Sequence, residues 1–160
     1  MALRKIVTVG DEVLRKKSRV VTAFDQKLHL LLDDMRDTLI QADGLGLAAP
    51  QVGILKRAVV IRIDDEFVDF VNPEIIAAEG EQQELEGCLS IPGKWGITKR
   101  PAKVTIRAQD RNGNSFEKTG EGLLARAFCH ETDHLDGVLY IDHAIRVLTP
   151  EELEKEERQK

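Results

Sequence analysis

Two histidines and a glutamate between His130 and His134 are the residues of this chain best suited to catalysis. The histidines stand four positions apart, so on an α-helix their imidazoles fall on the same side, one turn apart. Glu131 follows the first histidine and can reach the open side of a metal that both imidazoles bind. Two neutral nitrogen ligands and a carboxylate that accepts a proton from water are what a metal-dependent hydrolase needs. The alternative is that both histidines are ordinary, partly buried residues of a packed helix.

The residues around this motif favour a helix. Four positions, spaced by four, three and four residues, form the face that carries the histidines: Leu123, Ala127, His130 and His134. Leu124, Phe128 and Leu135 form a neighbouring apolar face that would hold the helix in a core. Gly137 is a natural C-cap residue, and residues 138–141 (VLYI) favour a β-strand after it.

A catalytic site of the zinc type has three protein ligands and one open position, so a third ligand is needed. A third histidine six residues after the second is excluded, because that position is Tyr140. Glu151 and Glu154 from the tail are candidates, and so is Cys88 from a segment expected to be extended. Cys129 points about 100° away from the adjacent histidine on the same helix. Spacing alone favours Cys88 over a glutamate only modestly.

The composition bounds the class of protein. A chain of 160 residues with 42% hydrophobic and 32% charged residues predicts one globular domain, residues 1–160. The net charge of −5 argues against direct nucleic-acid binding, which needs clustered positive charge. No apolar run approaches the length of a membrane span. Two cysteines cannot form a disulfide scaffold, so the cytoplasm is the expected location.

The N-terminal part predicts one amphipathic helix followed by a glycine-rich loop. Thr22 and Asp25 form an [S/T]-x-x-[D/E] helix start, and an apolar stripe continues to about Ala42. Residues 44–53 contain G-x-G-x-x-A, but this stretch follows a helix and meets Pro50. A dinucleotide site is therefore rejected in favour of a close-packed loop whose glycines let another backbone approach.

The rest of the chain predicts short strands and a second terminal helix. Runs rich in valine and isoleucine are expected to be strands: residues 58–63, 67–72, 74–79 and 103–108. Asn112-Gly113 predicts a hairpin turn into residues 115–117, and the polar stretch 80–85 a turn or irregular segment. Thr149 and Pro150 begin the C-terminal helix.

Three segments together resemble the signature motifs of bacterial peptide deformylases. They are Gly44–Gln51 (GLGLAAPQ), Glu86–Ser90 (EGCLS) and His130–His134 (HETDH), in the order that the family has them. The resemblance implies that Cys88, His130 and His134 bind one divalent metal ion, with Fe²⁺ expected and Zn²⁺, Ni²⁺ or Co²⁺ able to substitute. It also implies an α+β fold with antiparallel β-sheets packed around the central HExxH helix.

The resemblance also implies an activity, the removal of the N-formyl group from formyl-methionine at the start of newly made polypeptides. Glu131 would be the general base and later the acid, while the Gln51 amide and the Leu89 backbone N–H would stabilise the oxyanion. The backbone of Leu45 and Gly46 would pair with the extended peptide. Nascent formyl-methionyl peptides are the expected partners, and the ribosome is a candidate partner.

Other positions are given supporting roles. Leu123 and Ala127 are expected to line a methionine pocket, and Glu86 and Asp133 to orient metal ligands unless they form ordinary ion pairs.

The chain departs from the family pattern at two positions near the site. Cys129 stands where many members have glutamine, and Trp95 stands where several carry arginine. The rim of the peptide groove is therefore expected to differ from that of those members.

Two other functions stay open. One is a zinc peptidase with a downstream glutamate ligand, and the other is a structural metal site closed by four ligands including Cys129.

Overall fold

The computed structural model describes residues 2–158, which form eight strands and three α-helices. The helices are α1 (Gln26–Ala42), α2 (Leu123–Leu135) and α3 (Pro150–Arg158). The strands are β1 (Gly46–Ala48), β2 (Ala58–Ile63), β3 (Glu66–Glu79), β4 (Gln82–Cys88), β5 (Ile91–Arg100), β6 (Lys103–Gln109), β7 (Ser115–Glu121) and β8 (Arg146–Leu148). Short 3₁₀ helices cover Glu12–Arg15, Ala49–Val52 and Tyr140–Asp142. None of the helices in this part of the chain is long and apolar enough to cross a membrane.

The strands form two antiparallel sheets. One has five strands in the order β1-β2-β3-β6-β7, and the other has three in the order β4-β5-β8. Helix α2 lies against the larger sheet, where Phe128 meets Phe70 with ring centroids 5.5 Å apart. These features confirm the predicted α+β class, with antiparallel sheets around the HExxH helix and a helix near each end.

The larger sheet has helices on both faces, which explains the apolar run in β2. Val59 and Ile61 belong to the core cluster beneath α2, whereas Ala58 and Val60 pack with the leucines of α1. A strand covered on both sides is apolar at consecutive positions instead of alternating. The larger sheet therefore packs against α2 on one face and against α1 on the other.

The predicted start of α1 with Thr22 as the cap was wrong, because the helix begins three residues later. Asp25, not Thr22, caps the helix, because its carboxylate accepts a hydrogen bond from the Leu28 N–H at 3.1 Å. The end at Ala42 is confirmed, and Asp43 adopts a left-handed conformation there.

Two other local predictions were wrong. Most of the polar stretch 80–85 belongs to β4, which pairs with β5 along its length. Residues 138–141 do not form a strand; the chain turns into a 3₁₀ helix in which Tyr140 is buried against Leu14 and Ile91. Tertiary burial of apolar side chains, not strand pairing, therefore explains that run.

Two further segments differ from the pattern. Gly44 and Gly46 admit side chains rather than another backbone: a Cβ on Gly44 would lie 2.8 Å from Leu89 Cδ1, and one on Gly46 2.6 Å from Glu131 Oε2. Strand β3 runs through Pro73, where the pairing with β6 shifts register between Val71 and Glu74. A bulge at this point accommodates the proline without ending the strand.

Asn72 stabilises this bulge. Its φ angle is 51°, and its side-chain amide accepts from Val21 N–H at 2.8 Å and donates to Val21 C=O at 2.9 Å.

The predicted C-terminal helix is confirmed as well, since Thr149 Oγ1 accepts from the Glu152 N–H at 3.3 Å.

Replacing Asn72 should separate these two contributions. We expect Asn72→Ala to lower the free energy of unfolding by about 2–4 kcal/mol, because the side-chain hydrogen bonds to Val21 and Gln109 and the tolerance of positive φ are lost. Asn72→Gly keeps the backbone freedom and should lose about 1 kcal/mol less. Urea denaturation measures both; equal stability of all three proteins would contradict this account of the bulge.

Candidate metal centre and active site

Three potential metal ligands from two elements converge at one point. Cys88 ends β4, and His130 and His134 lie one turn apart on α2. The Cys88 Sγ lies 3.3 Å from His134 Nε2, which lies 3.2 Å from His130 Nε2. All three ligand atoms lie within 4.8 Å of one another, and both histidines are buried. Among the described residues this is the group of histidine, cysteine and acidic side chains able to hold a metal ion.

The spacing of these atoms fits a tetrahedral metal ion. Metal–ligand bonds of about 2.0–2.3 Å place neighbouring ligand atoms about 3.3–3.6 Å apart. The two separations given above agree with that range to within about 0.3 Å. Sulfur and imidazole nitrogen are ligands that suit Zn²⁺ and other first-row transition metals better than Mg²⁺ or Ca²⁺. The residues present therefore fit the metal that the motifs imply.

A buried carboxylate orients the first histidine. Glu86 Oε2 accepts a hydrogen bond from His130 Nδ1–H at 2.7 Å, which leaves the lone pair of Nε2 directed toward Cys88 and His134. The carboxylate also accepts from Arg100 Nη2 at 2.8 Å and from Arg126 Nη1 at 2.9 Å. Glu86 thus joins β4, β5 and α2 directly beneath the ligands.

Charge compensation keeps Glu86 ionised. Burial alone would raise its pKa, but hydrogen bonds from His130 and Arg100 outweigh burial and hold the pKa well below its usual range. Arg100 also donates to Asp133 Oδ2 at 2.7 Å. Glu86 thus contacts the proposed ligand His130 directly, whereas Asp133 is ion-paired with Arg100. Sequence reasoning missed Arg100 and Arg126, because basic residues on a strand and a helix are ordinarily exposed.

Glu131 is buried beside the ligands. One of its oxygens, Oε2, is so close to β1 that a Cβ on Gly46 would lie 2.6 Å from it. The other, Oε1, has no hydrogen-bond partner within residues 2–158. Burial raises the pKa of this carboxyl group to about 7. A carboxylate with that pKa can accept and return a proton near neutral pH.

Gln51 presents its amide to the same place. Its Oε1 accepts from the Ala48 N–H at 3.0 Å, which fixes the side chain. Its Nε2 then donates to Ser90 Oγ at 3.1 Å and lies 3.6 Å from Cys88 Sγ. Leu89 occupies the two-residue connection between β4 and β5, next to the cysteine.

A cavity of about 440 Å³ opens beside these groups. Its lining includes every predicted substrate-binding residue, namely Leu45, Gly46, Leu123 and Ala127. It also includes Gln51, Cys88, Leu89, His130 and Glu131. Strand β1 lies at the edge of its sheet, with β2 on one side only. The structure therefore brings together one open strand edge, one cavity and the predicted ligands.

The residues proposed in the competing interpretations lie elsewhere. Cys129 is buried in the core with Phe128, and burial raises the pKa of its thiol to about 11. Glu151 and Glu154 lie on α3, which buries no residue. Cys129, Glu151 and Glu154 therefore do not belong to the group of converging ligands.

A helix that carries two histidines, a strand that adds a cysteine and a buried carboxylate beside them define a site of the metallohydrolase class. Comparison with known sequences supports this class: the profile of the family described as "Polypeptide deformylase" matches residues 3–149. The chain belongs to the polypeptide deformylase family and is an enzyme of that family.

Individual relatives agree with this membership. A peptide deformylase of Caldicellulosiruptor bescii is 60% identical over 155 residues, which cover 97% of this chain and 93% of the relative. A peptide deformylase of Acetivibrio thermocellus is 51% identical over 160 residues, covering 100% of this chain and 94% of the relative. These relatives confirm the resemblance that the three motifs predict.

Solved structures agree as well. The crystal structure of a peptide deformylase from Legionella pneumophila superposes with a TM-score of 0.87 at 45% identity, covering 99% of this chain and 97% of that one. The peptide deformylase of Thermotoga maritima gives 0.88 at 39% identity, covering 91% of this chain and all of that one.

The two cysteines allow a matched test of the metal centre. We expect Cys88→Ser to lower metal affinity by at least about tenfold, because a thiolate ligand is lost. Cys129→Ser should keep its metal, since that sulfur lies outside the site, although the buried hydroxyl lowers stability by about 1–3 kcal/mol. Elemental analysis after dialysis against a chelator measures metal content; equal retention by both variants would exclude Cys88 as a ligand.

Proposed function

We propose that this enzyme removes the formyl group from formyl-methionine at the N-terminus of newly made polypeptides and releases formate. The observation that supports the proposal is that Gln51, Cys88, His130 and Glu131 line one cavity, with His134 beside Cys88 and His130. In the reaction, water adds to the formyl carbon, the C–N bond breaks, and the products are formate and a free amine.

Cys88, His130 and His134 would hold one divalent metal ion, for which we propose Fe²⁺, with Zn²⁺, Ni²⁺ or Co²⁺ as substitutes. When bound, such an ion lowers the pKa of water and polarises a carbonyl oxygen. Glu86 keeps the His130 ring in the orientation that this binding needs, through the 2.7 Å hydrogen bond to Nδ1.

Glu131 would carry the proton. Its Oε1, which has no hydrogen-bond partner among residues 2–158, and its raised pKa suit a base that takes a proton from the attacking water and returns it to the departing amine. Its contact with Gly46 places it beside the strand where the substrate would bind.

Gln51 and Leu89 would stabilise the negative charge on the formyl oxygen. The Gln51 amide is held by the backbone N–H of Ala48, so its N–H groups are already oriented before the reaction. Preoriented donors of this kind cost no reorganisation when the charge develops.

The peptide would bind as an added strand. Leu45 and Gly46 belong to or adjoin the edge strand β1, whose backbone can pair with an extended peptide regardless of its side chains. Leu123 and Ala127 would line the pocket for the methionine side chain, with Leu123 at the exposed mouth.

We further propose that residues 1–160 act as a single catalytic domain in the cytoplasm. Association with the ribosome stays a prediction, which co-sedimentation with ribosomes would test.

The first test is formate release from a short formyl-methionyl peptide by protein reconstituted with Fe²⁺ without oxygen. We expect formate only from the formylated peptide, which alone contains the formyl group, and only with metal, because a bound ion lowers the pKa of the attacking water. An N-acetylated peptide is the control. Cleavage of internal peptide bonds without formate release would support the zinc-peptidase alternative instead.

Glu131→Gln tests the proton carrier. The isosteric amide fits the buried space but cannot accept a proton, so we expect kcat to fall by about 10²–10⁴-fold while bound metal is retained. Glu117→Gln, at an exposed position on β7, is the matched control and should keep full activity. A Glu131→Gln enzyme with a near-normal rate would remove this residue from the mechanism.

A further inference from the structure

Trp95 is the single tryptophan of the chain and lies in the wall of the active-site cavity. It belongs to β5 and is half-buried. Its indole lies against the backbone of Gly87, because a Cβ on Gly87 would be 3.1 Å from Cδ1 and 3.2 Å from Nε1 of the ring. Gly87 directly precedes Cys88, so the indole stands one residue away from the proposed ligand segment.

Apolar side chains accompany the indole at the mouth of the cavity. Leu85 is 39% exposed and Leu123 is 64% exposed, although both are large and apolar. Exposed apolar side chains gathered around a cavity are typical of a binding surface. Neither leucine belongs to a hydrophobic core cluster of residues 2–158.

The charged groups near Trp95 disfavour a positively charged substrate side chain. Arg126 is buried, and its guanidinium is held by Glu86 and Thr98. Lys94, next to Trp95, is exposed and also lines the cavity. A cationic side chain would meet this ammonium group, whereas an apolar side chain would meet the indole and the two leucines without repulsion.

We propose that Trp95, together with Leu85 and Leu123, is a specificity-determining residue that binds a large apolar side chain in one of the two residues after the formylated methionine. This inference rests on the proposed function. The cavity is continuous from the ligands to the indole. An extended peptide advances about 3.3 Å per residue, so the next residues of the substrate reach the outer part of the same cavity.

Two series of formylated peptides test the proposal, formyl-Met-Xaa-Ala and formyl-Met-Ala-Xaa, with Leu, Ala, Lys or Glu as Xaa. In one series we expect Leu to be preferred over Ala by about three- to tenfold in kcat/KM, with the difference in KM. Trp95→Ala should bring the Leu/Ala ratio close to one, and Trp95→Phe should restore part of it. Leu30→Ala removes an exposed leucine on α1, away from the cavity, and should keep the wild-type ratio.

Two outcomes would overturn the proposal. One is a Leu/Ala ratio that Trp95→Ala leaves as it is in the wild type. The other is a preference for Glu in both proteins, which would assign recognition to Lys94 instead. Metal content and thermal unfolding of each variant show whether a change in the ratio comes from a damaged fold.

Fluorescence gives a reading that does not need turnover. Because Trp95 is the only tryptophan, its emission should shift on binding of the Leu peptide and shift less with the Ala peptide. If no formate is released, the proposed function fails, yet this shift still tests the binding surface. Emission that stays constant up to saturating Leu peptide, or up to its solubility limit, overturns the inference.

Discussion

The hydrogen bond between Glu86 and His130 is the interaction on which the geometry of this site depends. It joins the smaller sheet to the helix that carries both histidines, across a distance of 2.7 Å. A buried carboxylate is costly unless it is paired, and here Arg100 and Arg126 supply the compensating charge. Loss of one partner would leave buried charge uncompensated, so the group stabilises the site only as a whole. The position of Cys88, two residues further along β4, follows from this attachment.

The larger sheet provides the second constraint. Helices α1 and α2 cover its two faces, and the core beneath α2 fixes the rotation of that helix. With the rotation fixed, His130 and His134 face β4 while Cys129, one position away, faces the core. The same constraint sets the chemical difference between the two cysteines: one is near two imidazoles, and the other is a buried thiol whose pKa is raised by burial.

The close approach of β1 to α2 explains why a glycine occupies position 46. Any side chain there would meet the carboxylate of Glu131, which lies between the edge strand and the ligands. The strand that would receive the peptide and the residue that would move the proton are thus in contact. Under the proposed function, binding and chemistry would share one wall of the cavity, which would place an extended substrate accurately against the reacting group.

The sequence by itself determined the parts that depend on local spacing. Two histidines four residues apart with helical apolar periodicity predicted α2 and its ligand face, and three motifs in order predicted the family. Strands with β-branched residues and the Asn112-Gly113 turn were predictable for the same reason, because their signals lie within a few neighbouring residues. The start of α1 was missed narrowly, since Thr22 and Asp25 are both good caps and only the folded chain selects one.

Tertiary structure decided the rest. Residues 80–85 looked irregular because they are polar, and only the pairing of β4 with β5 makes most of them a strand. The buried residue of β4 is Glu86, and Arg100 and Arg126, distant in sequence, make its burial favourable. Residues 138–141 have strand-like composition, yet a hydrophobic cluster with Leu14 and Ile91 buries them as a loop and a 3₁₀ helix. The choice of Cys88 over a tail glutamate likewise depends on which element packs beside α2, and spacing in the sequence does not contain that information. Local patterns encode elements, whereas long-range pairing of charges and burial of apolar side chains decide how the elements meet.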